Sequence, residues 1–135
     1  MKGAREQLPE EWLAARALAG AAVLLDAGPG PARARTVARL LRHALEAAVD
    51  AYWEVTRPGE VTGRGRRARQ FRLLVATIDR RTAHDVYATW CMLSDAAKPH
   101  PYELAPTAGE LRALQAAAER HVASLTRAAD ASDGQ

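Results

Sequence analysis

The stretch from Ser94 to Glu110, SDAAKPHPYELAPTAGE, gathers the side chains of this 135-residue chain whose types and spacing could do chemistry. His100 stands between Pro99 and Pro101, and Tyr102 and Glu103 follow. Proline fixes its own φ and pushes the residue before it out of the helical region, so a stiff, extended bend is predicted here. An imidazole and a phenol held on such a bend, just ahead of a helix N-terminus that favours an anion, make a candidate reactive site. A structural reading competes with it. In that reading Tyr102 and Leu104 staple the bend onto the body of the protein, and Glu103 closes a helix cap.

The second candidate is electrostatic. Eight arginines lie between Arg57 and Arg81 against two acids, Glu60 and Asp79, so this segment carries +6 and the remainder −3 of a net +3. The core of the segment is RGRRARQFR. Arg64, Arg66, Arg67, Arg69 and Arg72 could meet phosphates there, and such asymmetry points to an anionic partner. Arginine abundance by itself is discounted, because lysine occurs only at Lys2 and Lys98 and the chain is rich in alanine and arginine throughout. A solvated basic loop is the plainer alternative.

Other reactive residue types offer less. His43, His84 and His121 have no second histidine or carboxylate at metal-binding spacing, so each reads as a surface or structural residue and no metal is expected. Cys91, the single cysteine, sits beside Trp90 on a helix that reads as buried, where a packed thiol is expected. Trp12, Trp53 and Trp90 read as core. GRGRRA lacks the preceding strand that a phosphate-binding glycine loop needs, so no cofactor is expected.

The elements that must position these residues are helical. The first is predicted from Pro9 to about Leu25, with Trp12, Ala15, Ala19 and Val23 as its stripe, and DAGPGP stops it. The second runs from Ala32 to about Val55, with Val37, Leu40, Leu41, Ala44, Leu45, Ala48, Val49, Tyr52 and Trp53 at helical spacing. A third helical region, Arg66 to Ala97, carries Phe71, Leu74 and Ile78, then Val86, Trp90, Leu93 and Ala97. It is expected to break near TIDRRT, where Asp79 can cap a new helix. Thr107 and Glu110 form a capping box for the last helix, striped by Leu111, Leu114, Ala118, Val122 and Leu125. No stretch alternates with period two. The expected fold is an all-α bundle of four long helices, the third split in two, as a single domain over residues 1–128, with a disordered tail over 129–135. Neither a signal sequence nor a membrane span is seen, so a soluble cytoplasmic protein is expected.

This organisation resembles the HEPN domains, small helical bundles of prokaryotes and higher eukaryotes, many of them ribonuclease toxins or defence components that act as dimers. DAAKPHPY is similar to the signature of one toxin branch, which reads arginine, four residues, histidine, any residue, tyrosine. His100 and Tyr102 match its last two positions, and Asp95 takes the place of the arginine. ARLLRHALEAAVDAYW is similar to a core helix of those domains. The resemblance implies a metal-independent ribonuclease with His100 as acid/base and Tyr102 as an orienting group or modification target. It also implies RNA rather than DNA as ligand, a protein partner such as an antitoxin, and a homodimer. An aspartate at position 95 would repel the phosphate that arginine holds, which favours a weak or inactive, binding-only member. The alternative is a non-enzymatic DNA-binding or adaptor bundle that uses the arginines and owes nothing to His100.

Overall fold

The computed structural model describes residues 10–28, 30–99 and 104–133, and every regular element among them is helical. They are α1 (Glu10–Asp26), α2 (Pro31–Thr56), α3 (Arg66–Arg72), a 3₁₀ turn (Leu73–Ala76), α4 (Arg80–Ala97) and α5 (Ala108–Asp133). The third region of the sequence thus divides into α3, the turn and α4. Asp79 makes the division: its carboxylate accepts from the Thr82 amide at 2.9 Å and caps α4. That bond holds the Asp79 carboxyl below its usual range.

The central element is α2, which packs against α1, α3, α4 and α5. Its composition explains this. Val37, Ala38, Leu41, Ala44, Leu45, Ala48, Val49, Tyr52 and Trp53 are all buried. They cover more than one stripe, so several helices can bury their own faces against it. Phe71, Leu74, Val86, Leu93, Leu111, Ala118 and Leu125 complete the core from α3, the 3₁₀ turn, α4 and α5. The capping box of α5 forms as spaced: Thr107 Oγ1 accepts from the Glu110 amide at 3.1 Å, and Glu110 Oε1 accepts from the Thr107 amide at 2.9 Å.

Four expectations change. Helix α1 turns its predicted stripe outward: Trp12 is 58% and Val23 68% exposed, while Ala14, Ala21 and Leu25 are buried. The helix is apolar on both sides, so periodicity does not say which side packs. Cys91 is exposed rather than packed. Leu104 is 99% exposed and staples nothing. The last helix continues past residue 128 to Asp133, with Ala129 buried and Ser132 Oγ 3.5 Å from Thr56 Oγ1. Ala129 falls four residues after Leu125 and extends the stripe with a side chain too small to register as one.

The outward turn of α1 has a direct test in urea unfolding. Leu25→Ala is expected to cost about 2–5 kcal/mol through cavity formation. Val23→Gln, on the exposed face, should stay within about 0.5 kcal/mol.

Candidate functional site

Two regions bring charged groups together. The first lies where α3 meets α2. Arg67 Nη1 donates to Asp50 Oδ1 at 2.9 Å, to Gln70 Oε1 at 3.0 Å and to the Glu46 carbonyl at 3.2 Å. Gln70 Nε2 donates to Asp50 Oδ1 at 2.8 Å, and Arg66 Nη1 lies 3.6 Å from the same oxygen. Glu46 Oε2 accepts from Trp90 Nε1 at 3.0 Å and has Arg42 Nε at 3.8 Å. Trp53 Nε1 donates to the buried Gln70 carbonyl at 3.0 Å. Phe71 stacks on Trp90 with ring centroids 4.6 Å apart. Three helices are joined here by charge-assisted bonds in a half-buried setting, where such bonds are stronger than in open water.

This network takes up much of the predicted phosphate patch. Arg66 and Arg67 are paired with carboxylates. Arg69 donates to the Thr62 and Arg64 carbonyls, strapping the loop onto α3. Gly65 at φ +70° makes the turn into that helix. Arg64 and Arg72 are exposed and have no carboxylate partner among the described residues. Sequence spacing gave no sign of the pairing, because Asp50 and Glu46 sit on another helix.

The second region is a groove of about 690 Å³ between the end of α4 and the start of α5. Met92, Asp95, Ala96 and Lys98 form one wall; Leu104, Pro106, Thr107, Glu110, Leu114 and Ala117 form the other. Arg35, from the start of α2, closes one side. Asp95 is exposed on the last turn of α4 and is engaged within the chain. His100 and Tyr102, the two motif residues matched in sequence, lie outside the described residues, as does Glu103. Arg35 is the groove residue that sequence reasoning missed. It is far from Asp95 in sequence, and only the packing of α2 against α4 and α5 brings it there. The Glu110 carboxyl is held below its usual range by the Thr107 amide.

Against known proteins, the chain matches no family model, no curated protein and no solved structure. What the region can do therefore rests on its own chemistry. Among the described residues, no three His, Cys, Asp or Glu side chains cluster to hold a metal ion. No described helix is long and apolar enough to cross a membrane.

The remaining histidines lie apart from the groove walls. His43 is exposed, with Nδ1 3.6 Å from Glu46 Oε1, and His84 is exposed. His121 is buried and shares a hydrogen bond of 3.1 Å with Thr89 Oγ1, joining α5 to α4. Loss of hydration pushes its pKa below the ordinary value, and Arg120 adds repulsion, while Asp85 opposes both.

Two measurements check this chemistry. Asp50→Ala removes the acceptor shared by Arg67 and Gln70 and should cost about 1–3 kcal/mol in unfolding free energy. The unfolded chain binds the His121 proton more readily than the folded one, so its contribution to stability is complete above about pH 6.5 and is lost as pH falls below it. Thermal midpoints should therefore drop on acidification through that range, and His121→Gln should remove this part of the dependence.

Proposed function

We propose that the chain is a HEPN-like helical module, a bundle of four long helices with the short α3 inserted, that works as a binding subunit with weak or no ribonuclease activity. The observation that carries this reading is the pairing of Arg66 and Arg67 with Asp50 and Glu46. Guanidinium groups committed to carboxylates cannot release counterions from a nucleic acid without first breaking those pairs. Asp95 points the same way. The resemblance needs a cation there to hold a scissile phosphate, and an aspartate opposes it. The groove beside Asp95 is walled by Met92, Ala96, Leu104, Pro106 and Leu114, which suit a protein surface better than a phosphodiester backbone.

RNA remains the second ligand in this reading, held weakly through Arg64 and Arg72. The two readings differ in salt dependence. For single strands the slope of log K against log salt is about −0.7 per phosphate neutralised, so two uncommitted arginines give about −1.4 and all five would give about −3.5.

The test incubates the purified chain and its His100→Ala variant with mixed RNA, scoring cleavage and retention. No His100-dependent cleavage is expected, and any retention should show the shallow slope. Cleavage that disappears in His100→Ala would establish a ribonuclease despite Asp95 and overturn the binding-subunit reading. A slope near −3.5 would show that the ion pairs open to RNA.

A further inference from the structure

Helix α1 is apolar on every side. From Trp12 to Leu25 its one charged residue is Arg16. Ala14, Ala21 and Leu25 are buried where α1 packs on α2 and α5. Trp12, Ala15, Ala19 and Val23, on the opposite side, are exposed. The other long helices clothe their exposed sides with charge: Arg39 and Glu54 on α2, Arg81 and Asp85 on α4, Glu119 and Arg120 on α5. A helix that is apolar all round is ordinarily buried, so among the described helices α1 is the one whose outer face calls for a cover.

Spacing and charge along that face fit a copy of itself. Trp12, Arg16, Ala19, Val23 and Asp26 recur at intervals of four, three, four and three residues, the seam of a two-helix pairing. Consider two such helices running antiparallel about a two-fold axis at Ala21. Arg16 then meets the partner's Asp26, and Ala19 meets the partner's Val23, because the members of each pair are equally far from position 21. Symmetry repeats each contact. A parallel pairing would set Arg16 on Arg16 and Asp26 on Asp26, which repel. Arg16 has no ion pair among the described residues. Asp26 has Arg112 3.7 Å away, with both side chains more than half exposed. An exposed pair of that kind contributes little, and a carboxylate has lone pairs for a second guanidinium.

The large side chain at the start of α1 also finds room in this register. Trp12 lies four residues, about 6 Å, beyond the partner's Asp26. That position is the turn from α1 to α2, built from Gly28 and Gly30, which with Leu24, Pro31, Ala32 and Thr36 borders a cavity of about 620 Å³. A cavity of that size admits an indole.

We propose that the exposed face of α1 is an interface with a second copy of this chain, the two helices antiparallel, with Arg16 on the partner's Asp26 and Trp12 on the turn after the partner's α1. The proposal is independent of the binding-subunit reading.

The test is sedimentation velocity of the full chain from about 1 µM to 1 mM. One helix and its turn make a small interface, so a dimer that dissociates on dilution is expected. Val23→Glu should weaken pairing about tenfold or more, whereas Val55→Glu and Met92→Glu, at exposed apolar positions on other helices, should leave it unchanged. Arg16→Asp and Asp26→Arg should each weaken pairing about tenfold, and the two combined in one chain should restore it, since acid and base have only exchanged ends. Arg16, Val23 and Asp26 are exposed, so these changes leave the fold intact, and thermal unfolding of each variant checks this.

A monomer at every concentration overturns the proposal. Pairing that survives Val23→Glu but is lost in Met92→Glu puts the second copy on another face and overturns the α1 interface. Charge variants that weaken pairing singly and show no rescue together overturn the antiparallel register. Pairing that appears only after residues 2–8 are deleted would make that segment the cover of α1 and overturn the second copy. The binding-subunit reading survives each of these outcomes, because the cleavage assay with His100→Ala decides it separately.

Discussion

Two carboxylates on α2, Glu46 and Asp50, govern what the arginine-rich segment can do. They stand one helical turn apart on a face that α3 and α4 partly cover, where unpaired acids would be costly. Arg67 bridges them, and Gln70 completes the acceptors of Asp50. Helix α3 has seven residues, too few to hold a helix by itself in water. Its position therefore depends on these bonds, on the Trp53 N–H to the Gln70 carbonyl, and on Phe71 stacked against Trp90. Breaking one partner of such a pair is expensive even though the pair adds little over an apolar substitute, because it strands the other charge. The basic segment is thereby tied into the fold, and its charge is not available in full to a ligand.

What was legible in the sequence was what is local. Asp79 with Thr82 and Thr107 with Glu110 act across three residues, and each forms as its spacing implies. The core stripe of α2 was legible because polar residues interrupt it at helical intervals. The face of α1 was not, since Trp12, Ala15, Ala19 and Val23 compete with Ala14, Leu18, Ala21 and Leu25 on nearly equal terms. Contact with α2 and α5 decides between them, and small alanines allow the closer approach. Cys91 was misplaced for a related reason: its neighbour Trp90 is half-buried, and one step along a helix turns a side chain through about a quarter of the circumference.

Of the two candidate regions, one was half legible. The arginines were visible as a charge run, but the acids that pair with them lie on a different helix. At the groove, Asp95 and Lys98 were visible beside the proline-rich bend. Arg35 was not, because no local pattern ties the start of α2 to the end of α4. Tertiary pairing between distant polar residues leaves no periodic trace, and it is the part of a site that sequence reading passes over.

The groove lies where α4 ends and α5 begins. Lys98 precedes Pro99 and takes an extended conformation, with φ −78° and ψ 137°, which ends α4. Helix α5 starts at Ala108, where the capping box satisfies one of its first amides. Further along, α4 and α5 are held together at Thr89 and His121, and the residues facing the gap include the small side chains of Ala96, Ala105, Ala113 and Ala117. Small side chains at a splayed end leave volume that nothing in the described chain fills. Arg35 and Lys98 border that volume together with Asp95 and Glu110. Pro99, which reads at first as part of a reactive motif, thus has a second physical consequence: it ends α4 at the border of the groove.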